Sequence, residues 1–419
     1  MHTQNMITPI MQQSRHQPNH PALTAATEHA VQTLSYQALT HKMQQFQAGL
    51  EHHQFRIRQR IILLFPISID LYALVLAILA SGLVVVFIDL NMGKKRVFSA
   101  IRKAKAHGIV STPMFANIRW LFPHLWLLRY LTPTQLLYDA RQPLKIAPCA
   151  LTDMAIISFT CSATGPAKGI TQTHGQLAAQ QAALAKVWPL STDKKVLTCF
   201  PTLMLHILRS GATAVISTHA AKTPRTLDPA FALTTYEQCH VSVLSAEPAY
   251  LHRMADYILL QHAQKRTQHI RQITVHATPA SRMLCRKLLK AFPTAEIQIL
   301  YGPTAFEPIT YVRGQTIARN TGSGYLVGRF VPGVACLLID PRQKHWPKQL
   351  PAIGTVGELW VHAEHVMHDY WDDPVATQHA KAIDPQHRRW HKTGDLAYFD
   401  KHHRLWLMGR ISGQRLFGQ

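Results

Sequence analysis

Residues 159–169, Phe159-Thr160-Cys161-Ser162-Ala163-Thr164-Gly165-Pro166-Ala167-Lys168-Gly169, gather hydroxyls, glycines and a lysine between an apolar run and a helical pattern. Such a loop suits an anion. Hydroxyls and backbone N–H groups converge on phosphate oxygens, Lys168 adds a point charge, and the helix that follows lends its positive end. The spacing is not that of a Walker loop, and by residue type alone an ordinary Ser/Thr turn competes on equal terms. Metal chemistry has less support: Cys149, Cys161, Cys199, Cys239, Cys285 and Cys336 never form a CxxC pair, and the histidines are dispersed. The cysteine pattern argues against a zinc site or a disulfide framework and fits a reducing cytoplasm.

Short apolar runs that read as interior strands must position this loop: Ile61–Phe65, Leu83–Ile88, Ala155–Phe159, Ala214–Ile216, Val241–Leu244 and Ile297–Leu300. Helical patterns lie between them, among them Gln176–Val187 and Ser281–Ala291. Alternation of this kind predicts parallel sheets layered with helices. The uncharged stretch Leu71–Ile88 is long enough for a membrane span. It is better read as a helix capped by Asp70, a break at Ser81-Gly82, and a strand buried on both faces. After about Gly324 the texture changes to short runs separated by Gly, Pro and Asp, including Ala335–Ile339, Gly357–Val361, Leu396–Phe399 and Leu405–Met408, with a hairpin turn at Lys401-His402-His403-Arg404. The expected fold is α/β: two stacked α/β subdomains at 20–190 and 191–325, then a smaller β-barrel-like subdomain at 326–410. Residues 1–19, rich in Gln, His and Asn, read as a disordered leader, and 411–419 as a truncated hinge with no C-terminal lid domain.

Lys and Arg outnumber Asp and Glu 44 to 22 in 419 residues, giving a formal charge of +22. A basic surface favours anionic partners, including peripheral contact with anionic lipid, without specifying one. No nucleic-acid-binding module accompanies the charge.

The loop resembles the phosphate-binding loop T-S-G-S-T-G-x-P-K-G of the AMP-forming superfamily of acyl-CoA synthetases, peptide-synthetase adenylation domains and luciferases, with Thr160, Thr164, Gly165, Lys168 and Gly169 matching. Further blocks follow in the family's order: Tyr301-Gly302-Pro303-Thr304, Gly357-Glu358-Leu359-Trp360-Val361, Thr393-Gly394-Asp395 and Gly409-Arg410. Asp70-Leu71-Tyr72-Ala73-Leu74, Val327–Gly333 and His391-Lys392-Thr393-Gly394-Asp395 are similar to a bacterial fatty-acid–CoA-ligase-like branch that includes the β-lactone synthetases of olefin biosynthesis.

That resemblance implies attack of a fatty or β-hydroxy fatty acid carboxylate on the α-phosphorus of ATP. It assigns phosphate contacts to Thr160, Ser162, Thr164, Gly165, Lys168 and Gly169, with Lys168 and Thr304 catalytic. Adenine falls to Ala277, Thr278, Tyr301 and Gly302, and ribose to Asp395, whose carboxylate accepts both hydroxyls, and Arg410. The acyl chain falls to Leu203–Leu208 and residues 241–251, where core packing competes, and His206 is a candidate base. ATP and Mg²⁺ are the implied cofactors and coenzyme A a second-step substrate, unless an intramolecular β-hydroxyl attacks to close a lactone.

The sequence also departs from the pattern. Ser162, Ala163 and Ala167 stand where Gly, Ser and Pro are usual, and one lost charge-assisted donor removes about 1.5–3 kcal/mol of phosphate stabilisation. Ala305 occupies the place of the magnesium carboxylate, leaving Glu307 as its substitute. Gly413 stands near the hinge position, and nine residues after Arg410 provide no place for the lid lysine of the family. These features predict a poor catalyst, with a non-catalytic nucleotide- or acyl-binding remnant as the alternative.

Overall fold

The computed structural model describes residues 5–27, 30–113, 128–160, 167–198, 200–217, 227–303, 306–342, 346 and 352–411. Among these residues the strands form two sheets. The first runs, edge to edge, Tyr370–Trp371, Lys168–Thr173, Met154–Thr160, Val84–Ile88, Arg60–Leu64, Gly108–Ser111 and Arg129–Leu131. Its five strands from Met154–Thr160 outward are parallel, and the other two are antiparallel. The second sheet has a parallel centre of Glu296–Tyr301, Gln272–Val275, Val243–Ala246, Lys195–Thr198, Thr213–Ser217 and Pro21–Ala26. Its antiparallel flank passes through Thr310–Arg313 and Tyr325–Phe330 to Leu405–Arg410, Arg389–Phe399, Gly357–His362 and Ala335–Ile339.

The elements follow from local chemistry. Helix Ile69–Ala80 buries every residue except Asp70, as an all-apolar helix between two layers must. The expected cap at Asp70 is a correction: Ser68 is the N-cap, its hydroxyl accepting from Leu71 N, while Asp70 pairs with Lys42 at 2.9 Å. The strand Val84–Ile88 follows after Gly82, which takes φ 67. Helix His174–Val187 begins in a capping box in which Thr173 and Gln176 satisfy each other's backbone N–H groups. Among the described residues, no helix is long and apolar enough to cross a membrane.

Three expectations need correction. Residues 8–16 are a helix rather than a disordered leader. Ile7 and Ile10 are buried in the main core, Asn5 donates to Leu79 O and Ala147 O, and Gln13 and Gln17 donate to Arg209 O and Gly211 O. The polar residues that read as solvated are docking contacts. Second, Pro21–Ala26 pairs with Thr213–Ser217, and Tyr370–Trp371 returns to the first sheet, so chain order does not divide the sheets at 190 and 325. Third, the C-terminal strands extend the second sheet as an open antiparallel flank rather than closing a barrel.

Candidate functional site

The phosphate-loop segment joins two antiparallel strands, with Thr160 opposite Lys168 and Phe159 opposite Gly169. This corrects the expected strand-to-helix connection. The following helix starts only at His174, so its N-terminal dipole does not sit immediately behind the loop. Ser162, Thr164 and Gly165, with Ala163, lie outside the described residues, as do Thr304 and Ala305 on the Tyr301 segment, and Gly413. Lys168 is described: its Nζ lies 5.2 Å from the Tyr370 ring centroid, on the short strand that pairs with Gly169-Ile170.

Strand Glu296–Tyr301 delivers Tyr301 to the site, and strands Arg389–Phe399 and Leu405–Arg410 deliver Asp395 and Arg410 directly opposite one another. Asp395 is buried. One carboxylate oxygen accepts from the Tyr301 hydroxyl at 2.5 Å, and the other from Arg410 Nε at 2.8 Å. Burial pushes the Tyr301 phenol well above its ordinary range and the Asp395 charge adds to this, so it donates as a neutral hydroxyl. Burial pulls the Arg410 guanidinium down, but Asp395 outweighs this and holds it raised.

The approach to Asp395 is fixed by its neighbours. Thr393 Oγ1 donates to Leu359 O at 2.8 Å and accepts from Asp395 N at 3.1 Å. Gly394 takes φ 74, a left-handed conformation that glycine adopts without steric cost, and its N–H donates to Glu358. Glu358 also accepts from Trp360 Nε1 at 2.8 Å, so the Gly-Glu-Leu-Trp block braces the turn that aims Asp395. Tyr370 lies within electrostatic reach of Arg410. Burial raises its hydroxyl, and the Arg410 charge pulls it partly back. Lys168 therefore lies against Tyr370 on the first sheet, while Tyr301, Asp395 and Arg410 form a bonded group on the second, with Tyr370 within electrostatic reach of Arg410. Tyr370 escaped the sequence reading, though Tyr370-Trp371 before Asp372-Asp373-Pro374 was a visible aromatic signal.

Ala277 takes φ 69, and Thr278 N donates to His276 O at 2.8 Å, so a strained γ-turn follows strand Gln272–Val275. Gly302 packs so closely that a Cβ there would lie 3.0 Å from Glu307 Cα. Ala277, Thr278 and Gly302 thus follow the carboxyl ends of neighbouring parallel strands, where open α/β sheets bind ligands.

Glu307 does not match the magnesium expectation. It is buried, its Oε1 lies 3.1 Å from His276 Nδ1, and its backbone carbonyl accepts from Gln180. Burial pushes its carboxyl up, with His276 opposing. Among the described residues, no group of three His, Cys, Asp or Glu could hold a metal. A lone inward-facing carboxylate beside a histidine does not supply the oxygen shell that Mg²⁺ requires. His206, the candidate base, is buried with Nε2 3.0 Å from Trp188 O, and burial lowers it to about 4. The acyl candidates Leu203–Leu208 form a helix embedded in the main core.

The sequence profile of AMP-binding enzymes matches residues 10–371. The chain belongs to the AMP-binding enzyme family. This AMP-binding chain is 26% identical over 405 residues to the olefin beta-lactone synthetase of Xanthomonas campestris, spanning 90% of this chain and 72% of that protein. Its fold matches a long-chain-fatty-acid-CoA ligase of Archaeoglobus fulgidus with a TM-score of 0.82 at 17% identity, covering 98% of this chain and 85% of the other. It also matches the O-succinylbenzoate coenzyme A synthetase of Bacillus subtilis in complex with AMP, with a TM-score of 0.80 at 18% identity, covering 96% and 78%. The family is that of acyl-adenylating ligases, and the likeness to these two structures establishes the same α/β body.

Proposed function

We propose that this chain binds ATP through the Tyr301, Asp395 and Arg410 group, activates a carboxylic acid of the fatty or β-hydroxy fatty type as its acyl-adenylate, and does so slowly. The observation that carries the reading is the buried Asp395 carboxylate, whose backbone N–H donates to Thr393 Oγ1 and whose two oxygens accept from a tyrosine and an arginine on two further strands. Each carboxylate oxygen keeps a further lone pair, so a ribose diol can donate to both while Tyr301 and Arg410 hold the carboxylate in the geometry that nucleotide binding uses. Lys168, at the stem of the loop segment, supplies positive charge for the phosphates.

Catalysis would consist of positioning plus charge stabilisation around the α-phosphorus as the acyl carboxylate attacks and pyrophosphate leaves. Ala305 offers no oxygen at the position of the family's metal carboxylate, and Glu307 faces His276 instead. Loss of one preorganised electrostatic group costs on the order of 10²–10³ in rate. Acid-dependent pyrophosphate release by the wild type and by Ala305→Glu, with ATP and a panel of fatty and hydroxy acids, tests the reading. We expect slow release that rises at least about tenfold in the variant. Nucleotide binding with no release from either protein favours a non-catalytic binding role, and fast wild-type release refutes the impairment.

A further inference from the structure

A charge that is partly withdrawn from water is normally paired with an opposite one. The half-buried Lys168 is held differently. Among the described residues its ammonium has no ion pair and no hydrogen bond, and lies 5.2 Å from the centroid of the Tyr370 ring. A carboxylate in that place would neutralise the lysine and compete with any anion for it. An aromatic face attracts the ammonium through its quadrupole and leaves the net charge intact. Burial pushes the Tyr370 phenol up, so it stays neutral and adds no counter-charge.

Tyr370 is itself fixed from both sheets. Its segment crosses from strand Gly357–His362 of the second sheet to strand Tyr370–Trp371 of the first. On the way His365 Nε2 donates to Pro308 O at 3.0 Å, and Gln176 Nε2 donates to Val366 O at 3.0 Å. At the first sheet Thr171 Oγ1 donates to Asp369 O at 2.7 Å and Tyr370 N to Thr377 Oγ1 at 2.9 Å. Trp371 Nε1 donates to Lys103 O at 2.8 Å. Tyr370 pairs with Ile170, and Lys168 precedes Ile170 by two, so the two side chains stand on one face of the sheet.

The charge of Arg410, from the second sheet, reaches the Tyr370 hydroxyl. Arg410 is already paired with Asp395 at 2.8 Å, which leaves Lys168 as the uncompensated cation of the two. Such a cation beside a neutral ring, at the stem of the loop segment, favours an incoming anion.

We infer that Tyr370 is a positioning residue for nucleotide phosphate that acts through Lys168: its ring holds the ammonium in place without neutralising it. The inference rests on the nucleotide reading above and adds a residue outside the sequence blocks that carried it.

The test is calorimetric titration of the full chain with ATP in the presence of Mg²⁺ and, separately, with adenosine. The proteins are wild type, Tyr370→Phe, Tyr370→Leu, Lys168→Met and the Lys168→Met, Tyr370→Leu double variant, with Tyr370→Met in reserve should the leucine variant not fold. Losing a partly desolvated cation–π contact should weaken ATP about 3- to 10-fold in Tyr370→Leu. Tyr370→Phe keeps the ring and should stay within about 2-fold of wild type. Adenosine carries no phosphate and should bind every variant alike, which also checks folding. In the Lys168→Met background Tyr370→Leu should have no further effect on ATP, because nothing is left to position. ATP affinity unchanged in Tyr370→Leu, equal losses in Tyr370→Phe and Tyr370→Leu, adenosine weakened as much as ATP, or an undiminished effect in the Lys168→Met background overturns the inference. Wild type that binds adenosine, with ATP indifferent to Lys168→Met, also overturns it while the nucleoside site stands. If wild type binds neither ligand, the nucleotide reading fails first and this inference falls with it.

Discussion

Replacing Asp395 by alanine tests how the candidate site is held together, before any ligand is considered. The carboxylate accepts from Tyr301 at 2.5 Å and from Arg410 at 2.8 Å, and its own side chain is 6% exposed. A hydrogen bond to a charged group contributes about 1.5–3 kcal/mol. The Tyr301 hydroxyl is buried and loses its acceptor outright, so its full share applies. Arg410 is 40% exposed and can return to water, which reduces its share to about 1 kcal/mol or less. The expected loss is therefore about 2–4 kcal/mol of unfolding free energy. Asp395→Asn keeps one carbonyl acceptor and should lose roughly half as much. Urea unfolding followed by circular dichroism, with the slope checked for constancy, measures both. Unfolding free energies for Asp395→Ala within about 0.5 kcal/mol of wild type would refute the contact geometry from which the ribose role is argued.

The remaining predictions concern the scaffold. Burial lowers His174 and His206 to about 4. Because the unfolded chain binds protons at these positions more readily, their stabilisation is complete above about pH 6.5 and is lost as pH falls towards 4. Denaturant unfolding at pH 5 should show a loss of about 2 kcal/mol for each histidine relative to pH 7.5, and equal stability at the two values would contradict their buried neutral state. Ile10→Ala should cost about 2–5 kcal/mol, since Ile10 is 2% exposed, whereas a frayed leader predicts no change in the unfolding midpoint. At Gly328, where φ is 95, a Cβ would lie 2.1 Å from Tyr311 O, so Gly328→Ala should lower the melting temperature by several degrees; an unchanged scan would place that strand pair elsewhere.

Much of the α/β fold was legible because its interior strands are β-branched runs whose identity does not depend on what they pair with. Helix Ile69–Ala80 and strand Val84–Ile88 could be separated at Ser81-Gly82 from local chemistry alone. The pairing of Pro21–Ala26 with Thr213–Ser217 could not, since it joins segments far apart in the chain and leaves no periodic trace. Helix Thr8–His16 was hidden because Gln13 within it and Gln17 at its C-cap satisfy distant backbone carbonyls, a role composition cannot show. At the site, the blocks containing Tyr301, Asp395 and Arg410 stood out by motif. The direction of Glu307 did not, because it depends on His276, a residue whose significance arises only when two parallel strands end side by side.

The most direct test of the central claim is calorimetric titration of the full chain with AMP, and of Asp395→Ala alongside it at a temperature where both are folded. Saturable one-site binding by the wild type, weakened at least about tenfold in the variant, is the predicted result, since a charged hydrogen bond to the ribose contributes about 1.5–3 kcal/mol. No binding by the wild type, or equal affinity in the folded variant, would contradict the nucleotide site built on Tyr301, Asp395 and Arg410.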